Sequence, residues 1–199
     1  MISFEILTAL MGFAIVSSVT PGPNNLMLMA AGANFGFWRS IPHMLGIAIG
    51  FTVMIILVGL GLIQIFDAFP TSYTILKFFS VAYLLWLAIK IANAAPPERS
   101  EPSHAPISFT QAALFQWVNP KAWSMALTAV TAYAPGQTLQ AILVVATVFG
   151  TINLPTVSVW TVMGQQIRRI LDKPHWMRAF NIGMAILLVL SALPVLLIT

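Results

Sequence analysis

Residues 18–29 read Ser18-Val19-Thr20-Pro21-Gly22-Pro23-Asn24-Asn25-Leu26-Met27-Leu28-Met29. Two prolines and a glycine in a row cannot continue an α-helix, because each proline deletes a backbone donor and crowds the carbonyl four residues earlier. Yet apolar sequence runs on both sides, and the stretch Ile6–Ala31 is longer than the roughly 20 residues needed to cross a hydrocarbon core. Inside lipid the backbone must pair with itself, so a crossing segment is helical. Thr20 followed by Pro21 suits the N-cap and first position of a helix. The stretch therefore predicts one span made of two half-helices, the second starting within the membrane.

Working outward, five more apolar stretches follow: Ile41–Phe66, Ile75–Ala95, Phe109–Tyr133, Leu139–Gly164 and Ala179–Ile198. None alternates with period 2, so a membrane β-barrel is not indicated. The first stretch has Glu5 as its one early charge and runs too long for a signal peptide, so it reads as a retained helix. Across 199 residues 59% are hydrophobic and 7% charged, against about 25% charged in a soluble domain. That scarcity excludes a soluble enzyme and a disordered chain. The net charge of +4 rests on scattered basic residues, which read as topology signals and not as a nucleic-acid surface. With no cysteine, disulfides, thiolate metal sites and cysteine nucleophiles are all ruled out.

The charges give an orientation. Connections one, three and five carry Arg39, Arg99, Arg168, Arg169, Lys173 and Arg178, and Lys90 can snorkel to the same side, whereas the opposite side has Lys77. The positive-inside rule makes those connections cytoplasmic and turns both termini outward. Trp38 and Trp176 fall at the inner boundary and Tyr73 and Tyr133 at the outer one. The polar loop 96–108 divides a single domain, 1–199, into half-repeats of about 1–95 and 109–199. Segment Gln165–Arg178 reads equally as a helix lying on the inner leaflet, held by anionic lipid, or as a simple basic loop.

A second break, Trp117-Val118-Asn119-Pro120-Lys121-Ala122-Trp123, interrupts the fourth span, with Asn119 a natural N-cap and Pro120 a natural first residue. Lys121 stands at the middle of that span, where a charge costs roughly 2.5–3.5 kcal/mol on insertion scales, which marks it as functional. Pro23 and Pro120 occupy corresponding places in the two halves, as do Gly50 and Gly150. Three spans per half make the halves inverted. The predicted fold is thus an all-α integral membrane protein, six transmembrane helices in a 3+3 inverted repeat with helices one and four broken. Matched breaks point to a transporter's binding site, and half-helix N-termini suit a carboxylate. The candidate substrate-binding and translocation residues are Thr20, Pro21, Gly22, Pro23, Asn24, Asn25, Asn119, Pro120, Lys121 and Asn153.

Thr-Pro-Gly-Pro-Asn at 20–24, the Gly46–Gly50 segment and Asn-Pro-Lys-Ala-Trp at 119–123 resemble the lysine exporter (LysE/RhtB) superfamily over nearly the whole chain. The resemblance implies a bacterial inner-membrane exporter of amino acids working by proton antiport. Asn24-Asn25 and the short length are similar to the cysteine/O-acetylserine subgroup, with the homoserine/threonine exporters the other near group. Ala185 and Ser191 stand where that superfamily commonly has glycines.

No Asp or Glu lies inside a span, so a dibasic substrate would lack a buried counter-charge. The expected cargo is a small neutral or polar amino acid of the threonine/homoserine, cysteine/O-acetylserine or leucine type. Its amino group would be held by half-helix carbonyls or by Asn24, Asn119 or Asn153. A metal-ion or other small-solute exporter of the same fold is the alternative, but such ions want carboxylate or thiolate ligands that the spans lack. An intramembrane enzyme is not expected, because Ser17 and Ser18 have no histidine at depth to activate them. No cofactor is implied; the expected partners are the amino acid, protons and membrane lipid, with no nucleic acid. Four features carry bland readings. Asn153 and Pro155 form a local break or a plain kink; Gly46–Gly50 is a close contact within the fold before it is a homodimer seam. His43 is a solvated boundary histidine before it is a proton relay, and Met27 and Met29 are packing.

Overall fold

The computed structural model describes residues 2–62, 64, 68–69, 71–94, 106–171 and 173–191, with only the backbone of residue 73. Among the described residues eight α-helices follow one another: α1 Phe4–Val19, α2 Pro23–Phe35, α3 Phe37–Leu57, α4 Thr71–Ala92, α5 Phe109–Val118, α6 Pro120–Tyr133, α7 Leu139–Arg168 and α8 Pro174–Leu190. A π-helical turn, Val58–Leu62, extends α3. Among the described residues there is no strand. Three helices, α3 with its π turn, α4 and α7, are each long and apolar enough to cross a membrane. The pair α1 and α2 makes a fourth such length, bent by 56°. Most of the predicted loop 96–108 and the end of the sixth stretch, 192–199, lie outside the described residues, as does Asp67.

Local chemistry sets the helix starts. Ser3 accepts from the Ile6 amide, Thr138 from the Ala141 amide, and Ser108 forms a reciprocal capping box with Gln111. The first connection is a single residue, Gly36, whose φ of 80° lies in the left-handed region that glycine adopts without strain. Arg39 and Trp38 therefore belong to the first turn of α3.

Glycines decide which helices touch. A Cβ on Gly32 would overlap the Thr161 carbonyl, and one on Gly164 the Met29 carbonyl, so α2 and α7 meet backbone to backbone. Gly46 and Gly50 likewise admit Phe109 and Ala113, seating α5 on α3. The Gly46–Gly50 pattern thus serves a contact within the chain, as its first reading held. Further packing joins α1 to α7, α3 to α7 and α4 to α8. Two apolar clusters fill the interior. One gathers Met27, Leu28, Ile47, Leu87, Phe115 and Val157; the other gathers Leu10, Phe51, Met54, Ala122, Ala126 and Phe149. Large apolar side chains such as Phe4, Phe78 and Phe79 point outward, as a lipid-facing surface requires.

Three expectations change. Helix α7 continues through Asn153 and Pro155 without a break, since neighbouring contacts hold it across one lost donor. Gln165–Arg178 is no separate surface helix: it is the end of α7, a short turn and the start of α8. His43 is fully buried within α3 and is not solvated at a boundary.

Candidate functional site

The site begins with the carbonyls that end α1. The last turn of any helix leaves carbonyls unpaired, and in an apolar interior each needs a donor. Here side chains supply them. The Thr20 hydroxyl donates to the Ser17 carbonyl at 2.9 Å. Asn25 Nδ2 donates to the carbonyls of Ser18 and Thr20, both at 2.8 Å. Trp160 Nε1 reaches the Val19 carbonyl from α7 at 3.2 Å. Thr20 is therefore the C-cap of α1, not the N-cap of the next helix; that position falls to Gly22, with Pro23 first in α2. The sequence offers two proline starts, and the chain takes the second, Pro23.

Lys121 completes the account. From the first turn of α6 its ammonium donates to the Thr20 carbonyl at 2.6 Å, the Thr20 hydroxyl at 2.8 Å and the Pro21 carbonyl at 3.3 Å. A positive charge at a helix C-terminus is favoured by the macrodipole, and here the two breaks, a hundred residues apart, are joined by it. Gly22 makes the approach possible: a Cβ there would lie 2.7 Å from Lys121 Cδ and 3.1 Å from its Nζ. The backbone of Gly22 is merely extended, so it is space and not conformation that calls for glycine. The lysine expected to face an anion thus faces carbonyls.

At the second break Asn119 caps α6, its side chain accepting from the Lys121 amide at 3.1 Å, and Pro120 follows as first residue. Trp123 Nε1 donates to the Trp117 carbonyl at 2.8 Å. Asn24 and Gln116 form a reciprocal amide pair between α2 and α5, Nδ2 to Oε1 at 2.9 Å and Nε2 to Oδ1 at 3.1 Å. Asn153 Nδ2 donates to the Ser18 hydroxyl at 3.1 Å, while its Oδ1 is enclosed without a partner among the described residues.

These groups surround one cavity of about 20 Å³, room for a water and not for an amino acid. Its polar wall is Ser17, Ser18, Asn24, Asn25, Gln116, Asn119, Lys121 and Asn153; its apolar wall, from Phe51, Ala122, Met125 and Val157, draws on both interior clusters. Of the ten sequence candidates, Gly22, Asn24, Asn25, Asn119, Lys121 and Asn153 line it. Thr20 and Pro21 reach it through Lys121, and Pro23 and Pro120 set the two helix starts. The N-termini of α2 and α6 both open on it. Gln116 and Trp160 were not foreseen. A glutamine inside an apolar stretch, three residues before Asn119-Pro120, was the available signal for Gln116; Trp160 gave none, since its role depends on how α7 packs. His43 and Thr161 are also buried without partners among the described residues, but neither lines this cavity.

A family model described as "LysE type translocator" matches residues 15–198. The cysteine/O-acetylserine efflux protein of Salmonella typhimurium strain LT2 is 31% identical over 192 residues, covering 94% of this chain and 95% of its own. The protein of the same name from Escherichia coli strain K12 is 29% identical over 191 residues, with the same coverage. No solved structure matches the chain. A match that spans both breaks and the lysine that joins them settles the family: the chain belongs to the LysE type translocators.

Proposed function

We propose that this protein exports a small neutral or polar amino acid across the bacterial inner membrane, with the cavity between the two helix breaks as its binding site. One observation carries the reading: two half-helix N-termini converge on a cavity whose polar lining is amides, hydroxyls and one lysine, with no carboxylate among the described residues. Such a site accepts a carboxylate at its amide ends and gives a cationic side chain no partner. The similarity to cysteine/O-acetylserine efflux proteins supports the same cargo class. The cavity holds only water-sized space, so the described conformation is the closed one, and the helices part to admit cargo.

In this reading the chain is one domain of six spans in a 3+3 inverted repeat. Spans one and four are α1–α2 and α5–α6, and the mutual pairings of α3 with α7 and α4 with α8 are those that a two-fold relation between the halves calls for. Loops one, three and five face the cytoplasm and both termini face outward, in keeping with the basic residues. Export runs by proton antiport, as the family resemblance implies. An efflux panel in cells overexpressing the protein tests this. Threonine, homoserine, cysteine, O-acetylserine or leucine is expected to leave faster than from control cells. Faster export of lysine or arginine than of all of these would refute the substrate class.

A further inference from the structure

We propose that Asn153 Oδ1 is the acceptor for the substrate's ammonium group, which fixes the direction in which an amino acid lies in the site. The inference rests on the proposed export function and adds the orientation of the cargo. Among the described residues, Asn153 Oδ1 is the oxygen of the cavity lining that is both sealed from solvent and unpartnered. A buried carbonyl oxygen left unpaired costs stability and calls for a ligand, a water or a functional role. Its Nδ2 donates to the Ser18 hydroxyl at 3.1 Å, which leaves Oδ1 as the free end of the amide. Asn24 and Gln116 are paired with each other, the Asn119 oxygen takes the Lys121 amide, and Asn25 Nδ2 holds two carbonyls of the break.

Lys121 takes the carbonyls of residues 20 and 21, offsetting the negative pole of α1, and leaves the Ser18 hydroxyl to Asn153. The ammonium is therefore placed by the free acceptor on Asn153, and the carboxylate by the N-termini of α2 and α6 with Lys121. The cargo side chain then falls against Phe51, Met125 and Val157, which suits a small uncharged group.

Flux through purified protein in proteoliposomes tests this. L-cysteine, O-acetyl-L-serine, L-threonine, L-homoserine and L-leucine are tried first on the wild type, and the fastest is kept as probe. Absence of flux for all five refutes the export reading itself, before any variant is made. The competitors are the decarboxylated amine and the deaminated acid of the probe: for L-cysteine, cysteamine and 3-mercaptopropionate. Asn153→Leu is expected to raise the half-saturating concentration about ten- to a hundred-fold and to abolish inhibition by the amine while sparing that by the acid. Asn153→Asp keeps an oxygen acceptor and is expected to keep inhibition by the amine. Unchanged saturation in Asn153→Leu overturns the proposal. So does an equal loss of both competitors in the two variants, which would make Asn153 a packing residue against Ser18.

Discussion

The ammonium of Lys121 lies 2.6 Å from the carbonyl oxygen of Thr20, so the residue that opens one broken helix closes the other. The contact satisfies a carbonyl that α1 cannot pair internally and neutralises the negative pole of that helix. It also binds the two halves of the chain at the wall of their shared cavity. A conformational change that separates the halves must break it or carry it along.

Gly22→Ala is the gentlest way to disturb this contact. The added Cβ meets the flexible end of Lys121 at 2.7 Å, while the extended backbone accepts alanine without strain. The lysine is expected to shift and the fold to remain. Efflux by the variant should fall at least about ten-fold, since misplacing a site group by an ångström costs that much or more. Thermal unfolding in detergent should stay close to wild type.

Gly32→Ala and Gly164→Ala should behave in the opposite way. Each Cβ would overlap a backbone carbonyl of the facing helix, which cannot rotate aside. The α2–α7 contact has to open, with a loss of about 1–3 kcal/mol as for overpacked cores. Lower yield of folded protein and a lower unfolding temperature are expected. Gly12→Ala and Gly183→Ala, where a Cβ meets nothing within 4 Å, are the controls and should be neutral.

The Asn24–Gln116 pair gives a double-mutant test. Asn24→Leu leaves the buried Gln116 oxygen without its donor, and Gln116→Leu leaves the half-buried Asn24 amide unpaired, a cost of about 1–3 kcal/mol each. The double variant removes both partners and should be less destabilised than the sum of the singles. Strict additivity of the unfolding temperatures would show that the two amides act independently.

The breaks were legible in the sequence because proline and glycine act locally: Asn119 and Pro120 occupy the positions their chemistry suggests. Thr20 was misassigned for a related reason. Pro21 and Pro23 both satisfy the local rule for a helix start, and only the donors from Asn25, Trp160 and Lys121 decide between them. The depth of Lys121 could be read, but not its partner, which lies a hundred residues away. The same distance hid the pairing of Gln116 with Asn24 and that of Asn34 with Asn181, at 2.7 Å between α2 and α8. His43 was taken for a boundary residue because it lies near the start of an apolar stretch, and the long-range packing that buries it is not visible in the sequence.

The central claim is that the junction of the two breaks moves an amino acid outward. The most direct test compares efflux of the preferred amino acid from cells expressing wild type and Lys121→Ala, at equal amounts of membrane-embedded protein. The expected result is efflux reduced to the level of cells without the protein, with the variant still in the membrane. Wild-type efflux from Lys121→Ala would contradict the account.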